Sequence, residues 1–415
     1  AVTLFIPEDT ILFLESKKIQ TQRSKEIFFA SLCKSKAQMK FQSAFVLLAS
    51  ALVMSACGGG GEPAPSSFPG LSIDGGNAYL ASNLYVHKFE ASSGKEAWRY
   101  PGVSDANNPR GPFAGEPLKF NDLIIVGGTV AQNGAADARV YALSDANGSE
   151  QWRWSVPSAS EKDRREFADG IVSDGKLLFA ANGNGSLYAL DANDGAPKLV
   201  WEFKTGNKLW AKPLVANEKV FQPSLDHTLY VLDAVTGKEI WKFTAGASIA
   251  STPAIKDGIL YFGSFDNKLY AVNAETGAKV WESVVDAWIW NEALVEGDIV
   301  YVGDAKGKAY AINARDGSRK WATQLGGTIR AKPVIGGENV FFLSTDTYVY
   351  SVATSNGAAK RLLESGLTRR LLANPLVVNN TLLVPLFDGD VKLSAVSLEN
   401  GGKKYELNAA TPIAK

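Results

Sequence analysis

One phrase returns along this chain at nearly constant spacing, and its return limits the fold more than any single residue does. Its clearest copies run Leu229-Tyr230-Val231-Leu232-Asp233-Ala234-Val235-Thr236-Gly237-Lys238-Glu239-Ile240-Trp241, then Leu269-Tyr270 through Gly277 to Trp281, then Ala309-Tyr310 through Gly317 to Trp321. The glycine of the phrase falls at Gly94, Gly148, Gly195, Gly237, Gly277, Gly317, Gly357 and Gly401, at steps of roughly 40 to 54 residues. A period near forty residues marks a propeller blade or a solenoid turn.

The pattern inside one unit separates the two. Ala254-Ile255, Ile259 to Gly263, Lys268 to Val272 and Val280-Trp281 are short β-branched or aromatic runs. Between them stand Lys256-Asp257-Gly258, Ser264-Phe265-Asp266-Asn267 and Glu275-Thr276-Gly277, which are turn chemistry. No helical period interrupts them. Four short strands per unit, eight times over, predict an all-β chain: an eight-bladed β-propeller of four-stranded antiparallel blades over residues 70–408. The glycine suits the hairpin between third and fourth strands, where the chain needs a positive φ. Trp98, Trp152, Trp201, Trp241, Trp281 and Trp321 follow it closely, each placed to cover the neighbouring sheet. Arg361 and Tyr405 hold that position in the last two units, which read as closing or variant blades.

The run hydrophobic-Tyr-Ala-hydrophobic-Asx-Ala-x-Thr-Gly-x-x-x-Trp resembles the repeat of the pyrroloquinoline-quinone-like (PQQ-like) β-propellers, and the resemblance covers essentially all of 70–408. That family holds quinone-dependent dehydrogenases as well as non-enzymatic lipoproteins of the BamB type, scaffolds of outer-membrane β-barrel assembly. The dehydrogenase branch carries an adjacent cysteine pair, calcium-binding carboxylates and a longer chain, and this sequence has no such pair. The resemblance therefore implies a non-catalytic scaffold, although the Leu-Arg-Gly-Glu-Ser type sequence and nearby Asp pair of BamB partner loops are absent too.

The amino-terminal segment bears on location. Met39-Lys40-Phe41-Gln42 is a short basic start, 43–54 is apolar, and Val53-Met54-Ser55-Ala56-Cys57 ends it on small residues before a cysteine. This reads as a lipoprotein signal over 39–56 with Cys57 as the lipidated residue. Residues 1–38 read as upstream extension, 57–69 as a flexible tether and 409–415 as a tail. The implied location is the membrane surface: the periplasmic side of the outer membrane in a Gram-negative cell, otherwise the cell surface.

Composition supports an exported domain and excludes several chemistries. The 43 basic and 43 acidic residues balance, which argues against nucleic acid as a partner. The two cysteines, Cys33 and Cys57, both precede the repeats, so no disulfide is expected in the propeller. Of the two histidines, His87 occupies a slot that other units give to tyrosine, and His227 sits in a turn. No metal cluster, catalytic triad or phosphate loop can be assembled, and no cofactor is expected.

What remains is surface. Successive strands alternate in direction, so the insertions Val103–Glu116, Val130–Arg139 and Ser158–Ala168 are expected to rise from one face as loops. Aligning the starts of the innermost strands predicts a ring of Ala114, Phe167, Trp210, Ala250, Trp290, Arg330 and Leu372 at the channel mouth on that face, with Trp288 beside Trp290. The next inward position carries Glu116, Asp169, Lys212, Thr252, Glu292, Lys332 and Asn374. Aromatic rings mixed with charges suit a protein-binding surface. The leading expectation is a monomeric, membrane-anchored scaffold binding a protein of the cell envelope. The alternatives are a small-molecule or sugar binder using Trp210, Trp288 and Trp290, and behind it a quinone-dependent dehydrogenase.

Overall fold

Each repeat folds as its hydrophobic pattern demands, into a meander of four antiparallel strands. A computed structural model describes residues 68–408 apart from 83, 103–110, 133–134, 158–166, 365–370 and 388–389. The readings of Cys57, the signal, the upstream extension and the tail fall outside these residues. In the fifth unit the strands are β17 (Ala254–Lys256), β18 (Ile259–Gly263), β19 (Lys268–Asn273) and β20 (Lys279–Val284), numbered along the chain from β1 (Gly70–Asp74) to β32 (Lys403–Asn408). Six such units form separate four-stranded sheets. The second and third share one eight-stranded sheet, because their innermost strands, β5 (Phe113–Phe120) and β9 (Phe167–Ser173), meet in a parallel bridge at Glu116 and Gly170. Gly115 allows that approach, since a Cβ there would lie 2.3 Å from the Gly170 nitrogen. The chain is a β-propeller.

The units are fastened to one another by the repeated tryptophan. Trp281 lays its ring on Gly317 of the next unit, where a Cβ would stand 2.8 Å from the ring. Its indole N–H donates to the Ala314 carbonyl at 2.9 Å. Trp98, Trp201 and Trp321 do the same over Gly148, Gly237 and Gly357, donating to the carbonyls of Asp145, Ala234 and Thr354. The glycine thus serves twice, for its positive φ and for the absence of a side chain under the ring. Trp241 covers Gly277 in the same way, but its indole N–H and that of Trp152 find no partner among the described residues. Gly195 has no atom within 4 Å of its missing Cβ, so Trp152 of the preceding unit does not lie on it as the other rings lie on their glycines.

A β-bulge aims the ring. In seven of the eight hairpins between third and fourth strands, the register slips at the residue just before the aromatic: Ala271 pairs with Trp281 but Val272 pairs with Lys279, so Val280 is the extra residue. The bulge turns Val280 outward and Trp281 inward. The exception is the unit with Arg361. There the slip falls at Leu362, whose carbonyl would lie 2.3 Å from a Cβ on Gly401.

Tyr405 closes the ring. It lies on Gly94 of the first unit and donates its hydroxyl to the Ala91 carbonyl at 2.5 Å. Leu71, Leu80 and Phe89 of the first unit share a core with Leu383, Leu393 and Leu407 of the last. Among the described residues the first and last units each keep their own four strands, and side-chain packing joins them.

Two details correct the sequence reading. Val130–Arg139 is no irregular loop: β6 (Leu123–Gln132) and β7 (Ala135–Ser144) continue their pairing out to Gln132 and Ala135, forming one extended hairpin. The central parts of the other two insertions, 103–110 and 158–166, lie outside the described residues. Trp288 and Trp290 lie in the bent segment ahead of β21 (Leu294–Glu296) and not in a strand.

The staple sets an expected cost. Trp281→Ala should lower the unfolding free energy by about 3–5 kcal/mol, and Tyr405→Phe, which keeps the ring and loses one hydrogen bond, by about 1 kcal/mol. Equilibrium urea unfolding measures both, and equal losses from the two would contradict this assignment.

Candidate functional site

The segment entering each innermost strand alternates direction residue by residue. In Trp210-Ala211-Lys212 and Trp290-Asn291-Glu292 the middle residue is buried beneath the sheets. Ser251 and Asn291 hold these middle positions together: Ser251 donates to the Asn291 carbonyl at 2.8 Å, and Asn291 Nδ2 to the carbonyls of Gly303 at 2.8 Å and Ile329 at 3.2 Å. The flanking residues are thereby placed in two tiers, one at the mouth of the channel and one within it.

The mouth tier is an aromatic stack with a cation laid on it. Trp210 and Trp290 stack at 5.7 Å between centroids, with planes 28° apart. Phe265 stands 4.9 Å from Trp290 and 5.1 Å from Trp288. The Arg330 guanidinium lies 3.8 Å from the Trp290 ring centre and 5.2 Å from that of Phe68. Backbone hydrogen bonds from Ile289 to the Ser264 carbonyl (3.3 Å) and from Ala305 to the Trp288 carbonyl (2.9 Å) fix the segment beneath. All of these rings are half-buried.

The channel tier is a ring of ion pairs. Lys212 donates to Glu116 and stands 3.9 Å from Glu292, and Lys332 donates to Glu292. Asn374 donates from Nδ2 to Glu116 at 2.9 Å and accepts from the Lys332 backbone N–H at 2.7 Å. The Thr252 hydroxyl lies 3.4 Å from Asp169 Oδ2. Burial pushes Glu116 up, but Lys212 and Asn374 together hold it below the usual carboxylate range. Burial lowers Lys212, and the carboxylates of Glu116, Glu292 and Asp169 more than reverse this. Asp169, half-buried in the channel, is pushed up to about 7, chiefly by burial. Between the tiers lies a cavity of about 60 Å³ lined by Phe68, Glu116, Asp169, Trp210, Trp290 and Arg330.

The structure therefore brings together Trp210, Trp288, Trp290 and Arg330 at the mouth, and Glu116, Asp169, Lys212, Glu292 and Lys332 below. It does not bring Phe167 there. Phe167 is 2% exposed and packs with Ile125, Val140 and Ile171, because the parallel bridge between β5 and β9 turns that register inward between two sheets. Ala114 is buried for the same reason. Sequence alignment missed Phe265 and Phe68. Phe265 had a visible signal, a large ring in a turn where neighbouring units place Leu225, Ala305 and Thr345.

The histidines stay apart from this site. His87 is fully buried and its Nδ1 pairs with Glu96 Oε1 at 2.6 Å, while Tyr230, Tyr270, Tyr310 and Tyr350 at the equivalent position bond a turn aspartate, as Tyr310 does with Asp304 at 2.8 Å. His227 sits in its turn with φ 76°, the conformation of Asn267 and Gly307 in the next units. Among the described residues no three His, Cys, Asp or Glu side chains are grouped to hold a metal ion, and no helix is long and apolar enough to cross a membrane.

Comparison with known proteins agrees with this architecture. The model of the family described as outer membrane protein assembly factor BamB matches in three overlapping stretches, 136–288, 198–358 and 287–413. The crystal structure of BamB from Moraxella catarrhalis superposes with a TM-score of 0.63 at 21% identity, covering 78% of this chain and 92% of that one. A computationally designed protein, Ika8, superposes with a TM-score of 0.61 at 13% identity, covering 79% and 96%. Among curated proteins, serine/threonine-protein kinase AfsK of Streptomyces griseus is 28% identical over 147 residues, which are 35% of this chain and span only 17% of the kinase.

Removing the central ammonium should expose how tightly the channel ring is coupled. Lys212→Met strands Glu116 without its nearest cation, at a cost of about 3–5 kcal/mol, and adding Glu116→Gln should recover part of that. Urea unfolding of the single and double variants tests it; strictly additive losses would show that the two side chains are independent.

Proposed function

This chain belongs to the family of the outer membrane protein assembly factor BamB, and from that membership we propose that it is a non-catalytic scaffold that binds another protein of the cell envelope. Its setting in this reading is outer-membrane β-barrel assembly, with the propeller held at the membrane by a lipid on Cys57 and acting as a monomer. The observation that carries the reading is the mouth cluster of Trp210, Trp288, Trp290 and Arg330, half-buried on a rigid floor. Tryptophan and arginine dominate the energetic centres of protein interfaces, and here their geometry is set before any partner arrives. The extended β6–β7 hairpin is a connection between second and third strands, and so it rises from the same face.

A non-catalytic role is supported by how the channel's charged groups are spent. Glu116, Glu292, Lys212 and Lys332 are paired to one another, with no nucleophile placed against a base. A sugar or other small molecule has less in its favour. The cavity of about 60 Å³ is far below the roughly 300–1,000 Å³ of ordinary ligand pockets. Moreover, Trp290 already carries Arg330, Trp210 and Phe265 against its ring.

The test is a crosslinked pull-down of the full lipidated protein from its native membrane, followed by mass spectrometry. Barrel-assembly proteins should be recovered, and the double variant Trp290→Ala/Arg330→Ala should reduce their recovery about thirtyfold, as loss of roughly 2 kcal/mol at an interface centre implies. Undiminished recovery by that variant would move the contact away from the mouth. Recovery of no reproducible protein would count against the scaffold itself.

A further inference from the structure

The three carboxylates of the channel ring are unequally served. Glu116 has the Lys212 ammonium and the Asn374 amide, and Glu292 has Lys332 with Lys212 at 3.9 Å. Asp169 has the Thr252 hydroxyl, at 3.4 Å, and the Lys212 backbone N–H, and the Thr252 hydroxyl also reaches the Lys212 carbonyl at 3.3 Å. The charged groups facing Asp169 come from three other elements: Glu116 from β5, Lys212 from the segment ahead of β13 (Leu214–Ala216), and Glu292 from the segment ahead of β21. Lys332 bonds to Glu292, and Arg330 lies in the tier above. Two negative charges and one shared ammonium therefore surround the carboxyl whose side-chain hydrogen bond is the longest of the three.

We infer that Asp169 is a proton-binding site of the channel, whose charge state decides how Lys212 divides itself between Glu116 and Asp169. With Asp169 neutral, Lys212 belongs to Glu116. With Asp169 ionised, a second carboxylate competes for the same ammonium. Trp210 lies two residues ahead of Lys212 on one short segment and stacks on Trp290, so a shift of Lys212 is transmitted to the mouth. The energetics agree with the geometry: burial raises Asp169 most, the Lys212 ammonium pulls it back, Glu116 and Glu292 raise it again and the Lys212 backbone N–H lowers it, leaving it at about 7. The unfolded chain releases this proton near pH 3.9. Between that value and about 7 the folded state holds a proton the unfolded state has lost, so stability falls as pH rises through the window. None of this depends on what docks at the mouth.

The test uses the full chain in detergent micelles, titrated from about pH 4 to about pH 9. Tryptophan emission should show a one-proton transition near neutrality that is lost in Asp169→Asn and kept in His227→Gln, which controls for imidazole titration. In protein labelled with ¹³C at aspartate carboxyls, one resonance, missing from Asp169→Asn, should titrate near neutrality, well above the rest. The melting temperature of Asp169→Asn relative to wild type should also rise across the same window. A carboxyl resonance for Asp169 that titrates with the ordinary aspartates, or an emission transition that persists in Asp169→Asn, would overturn the inference.

Discussion

The contact between an aromatic ring on one unit and a bare glycine on the next holds this propeller together. It recurs from Trp98 on Gly148 round to Tyr405 on Gly94, so the contact that joins neighbours also joins the two ends of the chain. One repeat unit cannot bury its hydrophobic faces alone, and a ring of such units depends on what lies between neighbours. For Trp98, Trp201, Trp281, Trp321 and Tyr405 the indole N–H or phenol O–H fixes the angle, donating to a carbonyl three residues ahead of the glycine the ring covers. Asp145 reinforces the first junction, taking Lys88 and Tyr79 from one unit and Lys119 from its own.

The bulge that aims each ring has a second consequence, at the outer rim. The extra residue must face solvent, and in three successive units it is Val200, Ile240 and Val280, each close to half exposed. Elsewhere the same position carries Ala97, Gln151, Lys320 or Lys404. The apolar side chains on the rim are thus a by-product of the geometry that buries the tryptophans.

A ring stapled on its outside leaves its centre free to differ from unit to unit. At the channel mouth the repeat places Trp210, Ala250, Trp290, Arg330 and Leu372 at one level and mixed charges below. The scaffold supplies rigid positions, and the departures from the repeat supply the chemistry. A binding role for the mouth is consistent with that division, since side chains that satisfy one another below hold the rings above in place without closing over them.

The period of about forty residues, the four strands in each unit and the antiparallel order follow from local pattern alone: alternation, turn residues and the recurring glycine need no distant partner to act. The two tiers at the channel were legible for a similar reason, because alignment of equivalent units places equivalent side chains. What alignment could not supply was any effect depending on a neighbouring unit. Phe167 turns inward because β5 and β9 pair across two units, Tyr405 finds Gly94 only because the last unit lies beside the first, and Phe265 reaches the mouth by meeting Trp288 and Trp290 of the segment entering the next unit. Asp169 is a lone carboxyl in the sequence and becomes a proton site only where Glu116, Glu292 and Lys212 converge on it. Strand order is settled by contacts a few residues apart. Electrostatics and packing across the ring are settled by distances that exist only once it has closed.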